Sequence, residues 1–306
     1  MIDLDLDQLR LLLLITESRS LTEAARRLDR SPATLSYQLA RIERSLGQAL
    51  FSRAHRRLTP TAFGAIAVAE ARTVLAIAES RFERLQTLSQ GGQYRIRMAV
   101  SDLILPERII ELIDRLSPDQ RPPEILWTTE VLRGLWDALQ TGRADLALGV
   151  ALPGHPAEGI FRLEPIGDVQ FHFVMRPNHP LALEPEPLDP EKIRRERTVA
   201  AIDSSRVLSP GHFGILPGQD LLRVPDQAAK RLAILAGLGV GHLPEHLIRE
   251  DLASGRLLTR RTTQSPTGPT PLYLAWRESD PLDPHGILAR LLQEIRAKSR
   301  EPFWFS

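Results

Sequence analysis

The spacing of apolar residues changes near residue 92, and this change divides the chain of 306 residues into two parts of different fold class. Before that point, apolar residues recur every three or four positions, which is the period of an α-helix. After it, short apolar runs alternate with helical stretches, a pattern typical of an α/β fold with a mostly parallel sheet. The sequence therefore predicts a helical N-terminal part followed by an α/β part.

Composition excludes several classes of protein. The chain contains no cysteine, so it has no disulfide, no thiolate nucleophile and no cysteine-ligated zinc. No apolar run approaches the ~18–20 residues that a membrane-spanning helix needs. Residues 1–7 are acidic and lack the basic region of a secretory signal. We expect a cytoplasmic protein that does not associate with membranes.

Positive charge is concentrated near the N-terminus, although the net charge of the whole chain is only +1. Residues 1–60 carry ten arginines against seven acidic residues, and residues 26–57 carry eight arginines against two acidic residues. A basic block on an otherwise balanced chain favours a polyanionic partner. The alternative is that these charges form an ordinary solvated face.

Helix signals in the first sixty residues predict a helix-turn-helix. A first helix is expected over residues 5–17, and Ser20 then begins a short second helix as part of a capping box. Ser31 is a good N-cap for a third helix, Pro32 suits its first position and Gly47 ends it. A short helix, a tight turn and a second helix with a polar outer face is the helix-turn-helix arrangement.

The outer face of the third helix carries small or polar side chains that can approach base edges and phosphates. Two short strands around a basic tip follow it and predict a wing, whose arginines would meet the phosphate backbone or the minor groove. The alternative is a three-helix bundle with basic residues facing solvent. The predicted DNA-binding residues are Thr22, Ser31, Pro32, Ala33, Thr34, Ser36, Tyr37, Gln38, Arg41, Arg53, His55, Arg56 and Arg57.

A long helix is predicted after the wing, from a cap at Thr61 to about Leu88, with Gly91 and Gly92 ending it. At 1.5 Å per residue such a helix spans about 40 Å. It has no core of its own and must bury its stripe on another helix, most simply its copy in a second subunit; the alternative is packing on the chain's own body. The stripe has nearly heptad spacing and contains Phe63, Ile66, Ala67, Val74, Ile77, Ala78, Leu85 and Leu88.

In the α/β part, polar side chains follow several predicted strands, and ligands in such folds bind beyond the carboxyl ends of strands. Each of these turns taken alone is ordinary helix capping, but four of them together predict a shared cleft for a polar or anionic organic ligand. The predicted strands cover residues 96–100, 124–129, 145–150, 171–175, 198–202, 221–224, 239–243 and 272–276, and the helices 106–116, 132–140, 226–236 and 284–297. The predicted effector-binding residues are Ser101, Asp102, Thr128, Thr129, Glu130, Asp203, Ser204, Ser205, Arg206, Asp226 and Gln227.

The sequence does not favour an enzyme, a metal site or a cofactor. Ser204 and Ser205 lack the Gly-x-Ser-x-Gly turn of a hydrolase nucleophile. His242 and His246 are four residues apart, but a proline lies between them, and the glycines within residues 237–241 lack a phosphate-loop context. Two hypotheses remain: a ligand-responsive regulator, and a solute-binding or catalytic α/β protein fused to a basic module. A signal peptide or a catalytic constellation would favour the second.

Several motifs resemble those of LysR-type transcriptional regulators. In the N-terminal part they are SLTEAARRL at 20–28, SPATLS at 31–36, LFSR at 50–53 and TAFG at 61–64. In the C-terminal part they are RADLALG at 143–149, NHPL at 178–181 and AGLGVGHLP at 236–244. The chain departs from the family where Pro32 and Ala33 replace a common Gln-Pro, and where Tyr37 replaces a frequent basic residue. Both departures bear on the DNA sequence that is read.

The resemblance implies a winged helix-turn-helix DNA-binding domain at residues 1–60, a linker and dimerisation helix at 61–91 and an effector-binding domain at 92–306. That domain is expected to be similar to type 2 periplasmic binding proteins, with one lobe at about 92–166 and 270–300 and the other at about 167–269. Implied partners are double-stranded DNA with a pseudo-palindromic operator, a small organic effector that is aromatic or anionic, and RNA polymerase. A homodimer or homotetramer is expected.

Overall fold

The structure is a computed structural model, in which the chain forms two compact units. One unit comprises residues 1–90 with 140–143, and the other comprises residues 91–139 with 144–306. None of the described helices is long and apolar enough to cross a membrane. The structure describes residues 4–18, 20–52, 58–89, 96–116, 124–151, 161–263, 268–277, 287–299 and 304–305.

Local capping interactions define the helices of the first unit. The Asp5 carboxylate accepts the N–H of Gln8, and the Gln8 side chain accepts the N–H of Asp5 in return, so the capping box lies here. Ser20 and Ser31 cap the next two helices, as predicted. The elements are α1 Leu6–Glu17, α2 Leu21–Arg27, α3 Pro32–Leu46, β1 Phe51–Ser52, β2 Thr59–Pro60 and α4 Ala62–Ser89.

Helix α4 uses its N-terminal half for the core of its own unit, where it packs against α1. Val68, Ala71 and Leu75 are buried at spacings of three and four residues. The prediction that this helix has no core of its own is therefore wrong for its first half, and the side chain of Leu88 lies outside the described residues. A second apolar face of α4 is exposed and carries Ile66, Val74 and Leu85; Phe82, which is in line with the buried residues, is exposed as well.

The second unit alternates strands and helices, as the sequence predicts. Its strands are β3 Ile96–Ser101, β4 Ile125–Glu130, β5 Leu146–Val150, β6 Phe161–Val169, β7 Phe171–Met175, β8 Thr198–Ala201, β9 Leu221–Val224, β10 Gly241–Pro244, β11 Leu258–Arg260 and β12 Thr270–Arg277. Its helices are α5 Pro106–Arg115, α6 Gly134–Gln140, α7 Pro190–Arg194, α8 Gln227–Leu235, α9 Glu245–Ala253 and α10 Ile287–Lys298. Strands β6 and β11 and helices α7 and α9 were not predicted.

The larger sheet has the order β4-β3-β5-β12-β6. Strands β4, β3 and β5 are parallel, but β12 is antiparallel to both β5 and β6. The prediction of a mostly parallel sheet is therefore wrong for the part of this sheet formed by β5, β12 and β6. The long strands β6 and β12 are neighbours that pair antiparallel. Successive side chains of β3 point to opposite faces of the sheet. Met98 is buried among residues of α5 and α10, and Ala99 is buried against α6 on the other face.

The smaller strands form a second layer with its own core. Strand β7 pairs antiparallel with β10 and β11, and β8 pairs parallel with β9. A parallel bridge between Thr198 and Val240 joins these two groups. Val174, Val199 and Ile234 are buried together, so helix α8 is held on this layer.

We expect Gly64→Ala to destabilise the first unit by about 3 kcal/mol or more. A Cβ atom at this position of α4 would lie 1.8 Å from the carbonyl oxygen of Leu50, so either the helix or the wing must move. Thermal unfolding followed by circular dichroism should show an earlier helical transition. Tryptophan fluorescence should not shift, because all four tryptophans lie between residues 127 and 304.

The exposed neighbour variant Ala65→Ser is the matched control and should melt as the parent does. An unchanged helical transition in Gly64→Ala would show that the wing does not approach α4 this closely.

Candidate functional site

The predicted reading surface is the outward side of α3. Leu35, Leu39 and Ile42 are buried on one side of the helix. On the other side, Tyr37 is 66% exposed, and the residues of the first turn are also exposed. Among the described residues of the first unit, none covers this turn, so its backbone and side chains are accessible to a partner.

Short polar contacts hold the start of α3 in place. The Ser31 hydroxyl accepts the N–H of Thr34 at 3.1 Å and lies 2.8 Å from the Thr34 hydroxyl. Arg30 donates to the side-chain oxygen of Gln38 at 3.3 Å, which links the turn to the helix. Of the remaining predicted DNA-binding residues, the structure shows Thr22, Pro32, Ala33 and Arg41 exposed and Ser36 half-buried.

The wing is anchored to α3 by Glu43, which sequence reasoning did not assign. The Glu43 carboxylate accepts the N–H of Leu50 at 2.7 Å and the N–H of Phe51 at 3.3 Å. Strands β1 and β2 then pair as predicted. The wing-tip residues Arg53, His55, Arg56 and Arg57 lie outside the described residues.

A cavity of about 600 Å³ lies in the second unit, between the turns that follow β3 and β4 and the start of α8. The structure brings Ser101, Asp102 and Gln227 of the predicted set to its walls. It adds residues that the sequence did not single out, because nothing local distinguishes them. They are Arg133, Trp136, Phe171, His212, Phe213 and Lys230.

Four of the eight other predicted effector residues hold the surrounding loops together. Ser204 donates to the Glu130 carboxylate and accepts the N–H of Val131 at 2.9 Å. Asp203 accepts the N–H groups of Arg133 at 3.3 Å and of Ser205 at 2.8 Å. These contacts fasten the segment after β8 to the turn after β4.

Four predicted residues lie elsewhere. Asp226 is the N-cap of α8 and accepts the N–H of Ala229 at 2.7 Å. Thr128 and Thr129 are exposed on β4, which is an edge strand, and Arg206 is exposed in the following loop. The structure does not bring these four side chains to the cavity wall.

Burial perturbs the two charged groups at the start of α8. The Asp102 carboxylate accepts the N–H of Gln227 at 3.0 Å, and burial raises the pKa of Asp102 to about 7. Lys230 is 3% exposed, and burial lowers its pKa to about 8. The opposite charges moderate both pKa shifts, since Lys230 lowers the pKa of Asp102 and Asp102 raises that of Lys230.

His242 packs behind Phe213, one of the residues of the cavity wall. Its ring packs edge-on against Phe173 and Phe213, and Phe213 itself lines the cavity. Burial first, and then the nearby charge of Lys230, lowers the pKa of His242 to about 4. His242 is therefore a neutral ring at neutral pH.

These two units define a class of protein: a DNA-binding helix-turn-helix joined to an α/β domain with a ligand cavity. The chain belongs to the LysR family of transcriptional regulators. Residues 6–65 match the model described as "Bacterial regulatory helix-turn-helix protein, lysR family", and residues 89–300 match "LysR substrate binding domain". The predicted fold class and the predicted function, a DNA-binding regulator with an effector-binding domain, are confirmed.

Similar proteins agree with this membership. The HTH-type transcriptional activator AllS of Salmonella typhimurium is 32% identical over 275 residues, which cover 90% of this chain and 89% of that protein. The HTH-type transcriptional regulator PunR of Escherichia coli K12 is 29% identical over 266 residues, covering 87% and 85%. The crystal structure of ArgP from Mycobacterium tuberculosis has the same fold, with a TM-score of 0.51 at 21% identity and coverage of 97% and 98%.

We expect His242 to make the second unit less stable as the pH falls from 6.5 to 4. The unfolded chain binds more protons in this window because its histidine titrates near 6.5, whereas the folded histidine titrates near 4. The free energy of unfolding should therefore fall by about 3 kcal/mol more in the parent than in His242→Asn. Urea unfolding followed by tryptophan fluorescence at several pH values measures this difference.

His212→Asn, at an exposed position, is the control for this series and should follow the parent. Parallel pH profiles for the parent and His242→Asn would show that His242 is not a buried neutral ring.

Proposed function

We propose that this chain regulates transcription by binding a pseudo-palindromic DNA site as a homo-oligomer, and that a small organic effector changes the arrangement of its subunits on DNA. The observation that carries the proposal is the exposed polar side of α3, opposite its buried stripe. RNA polymerase is the protein partner in this scheme, and the chain itself catalyses no reaction. Residues 1–60 act as the DNA-binding domain, 61–91 as the linker and 92–306 as the effector domain.

The N-terminal domain makes two kinds of DNA contact. Ser36, Tyr37 and Gln38 lie on the outward side of α3 and read bases in the major groove. The basic tip of the wing, including Arg53, binds phosphates irrespective of sequence. The polar side chains at Ser31 and Thr34 place the start of α3 against the backbone.

The exposed apolar face of α4 supports oligomerisation. Ile66 is 61% exposed and Leu85 is 60% exposed, although both are large apolar side chains on one long helix. A second copy of α4 would cover them and so remove apolar surface from water. A two-fold dimer presents two α3 helices, which matches a pseudo-palindromic operator.

The effector occupies the cavity of the second unit. Its walls come from turns that belong to both sheet layers of that unit, including Asp102 after β3 and Gln227 at the start of α8. A ligand that contacts both sides has a different affinity for open and closed arrangements of the layers. Its binding therefore shifts the population between those arrangements.

We expect Arg53→Ala and Gln38→Ala to weaken DNA binding in different ways. Arg53→Ala should weaken binding to specific and random duplexes alike and reduce the salt slope, because a phosphate contact is lost. Gln38→Ala should change mainly the preference between them. Fluorescence anisotropy across a salt series, with the region upstream of the protein's own coding sequence and a random duplex, measures both effects.

Arg197→Ala, which removes an exposed arginine paired with Asp220 in the second unit, is the matched control and should not affect either duplex. If Arg53→Ala leaves random-duplex affinity unchanged, the phosphate-binding role of the wing is wrong.

We expect Val74→Glu to weaken self-association, because Val74 is 44% exposed in the monomer and a buried carboxylate in a dimer seam is costly. Analytical ultracentrifugation should show a dissociation constant raised at least tenfold. The control Arg72→Glu places the same residue at an exposed polar position of α4. An unchanged constant in Val74→Glu would exclude this face from the interface.

A further inference from the structure

A buried lysine ammonium borders the cavity without a partner. Lys230 is 3% exposed and lines the cavity, and no described residue accepts a hydrogen bond from its Nζ atom or forms an ion pair with it. Its stem is confined by β10, where a Cβ atom on Gly241 would lie 3.1 Å from the Lys230 Cε atom. Removing an ammonium group from water costs several kcal/mol unless a counter-charge compensates it. The site therefore favours an anionic ligand.

Asp102 is the opposite charge that acts on Lys230, and its carboxylate is engaged elsewhere. Asp102 comes from the turn after β3, and its carboxylate accepts the N–H of Gln227 at the start of α8. Asp102 and Lys230 interact electrostatically without direct contact. The cavity thus already holds one carboxylate beside the ammonium but not paired with it.

The wall also offers an apolar lining. Trp136, Phe171 and Phe213 provide aromatic surface. One N–H group of the Arg133 guanidinium donates to the carbonyl of Ser209 at 2.9 Å, whereas the Lys230 ammonium donates to no described residue. These features suit a ligand with one negative charge and an apolar body.

We propose that the effector is a small monocarboxylate with an aromatic or other apolar body, whose carboxylate accepts hydrogen bonds from Lys230, and that Asp102 is the resident carboxylate that opposes it. This inference rests on the proposed function, since it gives the chemical class of the ligand in the same cavity. A volume of about 600 Å³ suits a small organic molecule. Lys230 is the one ammonium among the described wall residues, and it can bind one carboxylate.

Asp102 makes binding depend on pH. Asp226 and Lys230 are the charged groups that act on Asp102. Arg133 and His212 line the same cavity, His242 lies close to Lys230, and His246 contacts the carbonyl of the neighbouring Leu103. A ligand carboxylate beside Lys230 favours the neutral form of Asp102, so binding takes up a proton when Asp102 is charged. Because the Asp102 pKa is about 7, affinity for an acid should fall about fourfold between pH 6.0 and pH 7.5.

The test compares acids with their neutral amides on the full-length protein: benzoate with benzamide, phenylacetate with phenylacetamide, and hexanoate with hexanamide. Isothermal titration calorimetry at pH 6.5 measures each dissociation constant. At least one acid should bind ten times more tightly than its amide. Lys230→Met should abolish that preference and leave amide binding within about threefold, and Lys230→Arg should retain most of it.

Lys192→Met is the matched control, because Lys192 is an exposed lysine that pairs with Glu184 away from the cavity. It should preserve the preference for acids. Thermal unfolding of Lys230→Met distinguishes a loss of acid preference in the folded protein from a loss of folding. Asp102→Asn should bind the preferred acid more tightly than the parent at pH 7.5, because the carboxylate that opposes the ligand is gone.

Two results overturn the inference: no acid binds more tightly than its amide, or Lys230→Met weakens acid and amide equally. An affinity of Asp102→Asn for the acid at pH 7.5 that is no higher than the parent's overturns the role of Asp102. Duplex binding by the same preparations separates these failures from that of the proposed function. If the parent binds amides and its operator but prefers no acid, only the charge assignment fails; if it binds no duplex, the regulator proposal fails.

Discussion

Carboxylates that accept backbone N–H groups hold the two sheet layers of the effector domain around its cavity. Asp102, after β3, accepts the N–H of Gln227 on α8, and Asp203, after β8, accepts the N–H of Arg133. Asp137 of α6 is fully buried and accepts the N–H groups of Val207 and Leu208. Each bond satisfies a backbone donor that would otherwise be buried without a partner. The cavity depends on these links because they position its opposite walls.

The same carboxylates explain why the cavity is sensitive to charge. A site closed by buried polar groups has a lower effective dielectric constant than water, so a charge placed there is felt by its neighbours. Asp102, Lys230 and His242 all show this through the pKa shifts that burial causes. A ligand that enters such a site must compensate the local charge as well as fit the shape of the walls.

Helix α4 contributes to both the core of the DNA-binding part and an exposed apolar face. Val68 packs into the core that also positions α3, and Ala71 is buried as well, whereas Ile66 and Val74 on another side remain exposed. The near-heptad spacing indicated the exposed stripe, but it did not distinguish which apolar residues belong to the unit's own core. A helix of Ala62–Ser89 is long enough to have both faces.

The sequence by itself determined the helices of the DNA-binding part, because Ser20, Ser31 and Gly47 act within three residues of the groups they cap. It also indicated that polar strand ends would surround a ligand. Only the tertiary structure decided which of those ends meet: Ser101 ends a central strand and borders the cavity, while Thr128 lies exposed on an edge strand. Lys230 has no local signal, since an isolated lysine on an amphipathic helix is usually solvated. Its burial depends on strand order and helix packing, which join residues far apart in the chain.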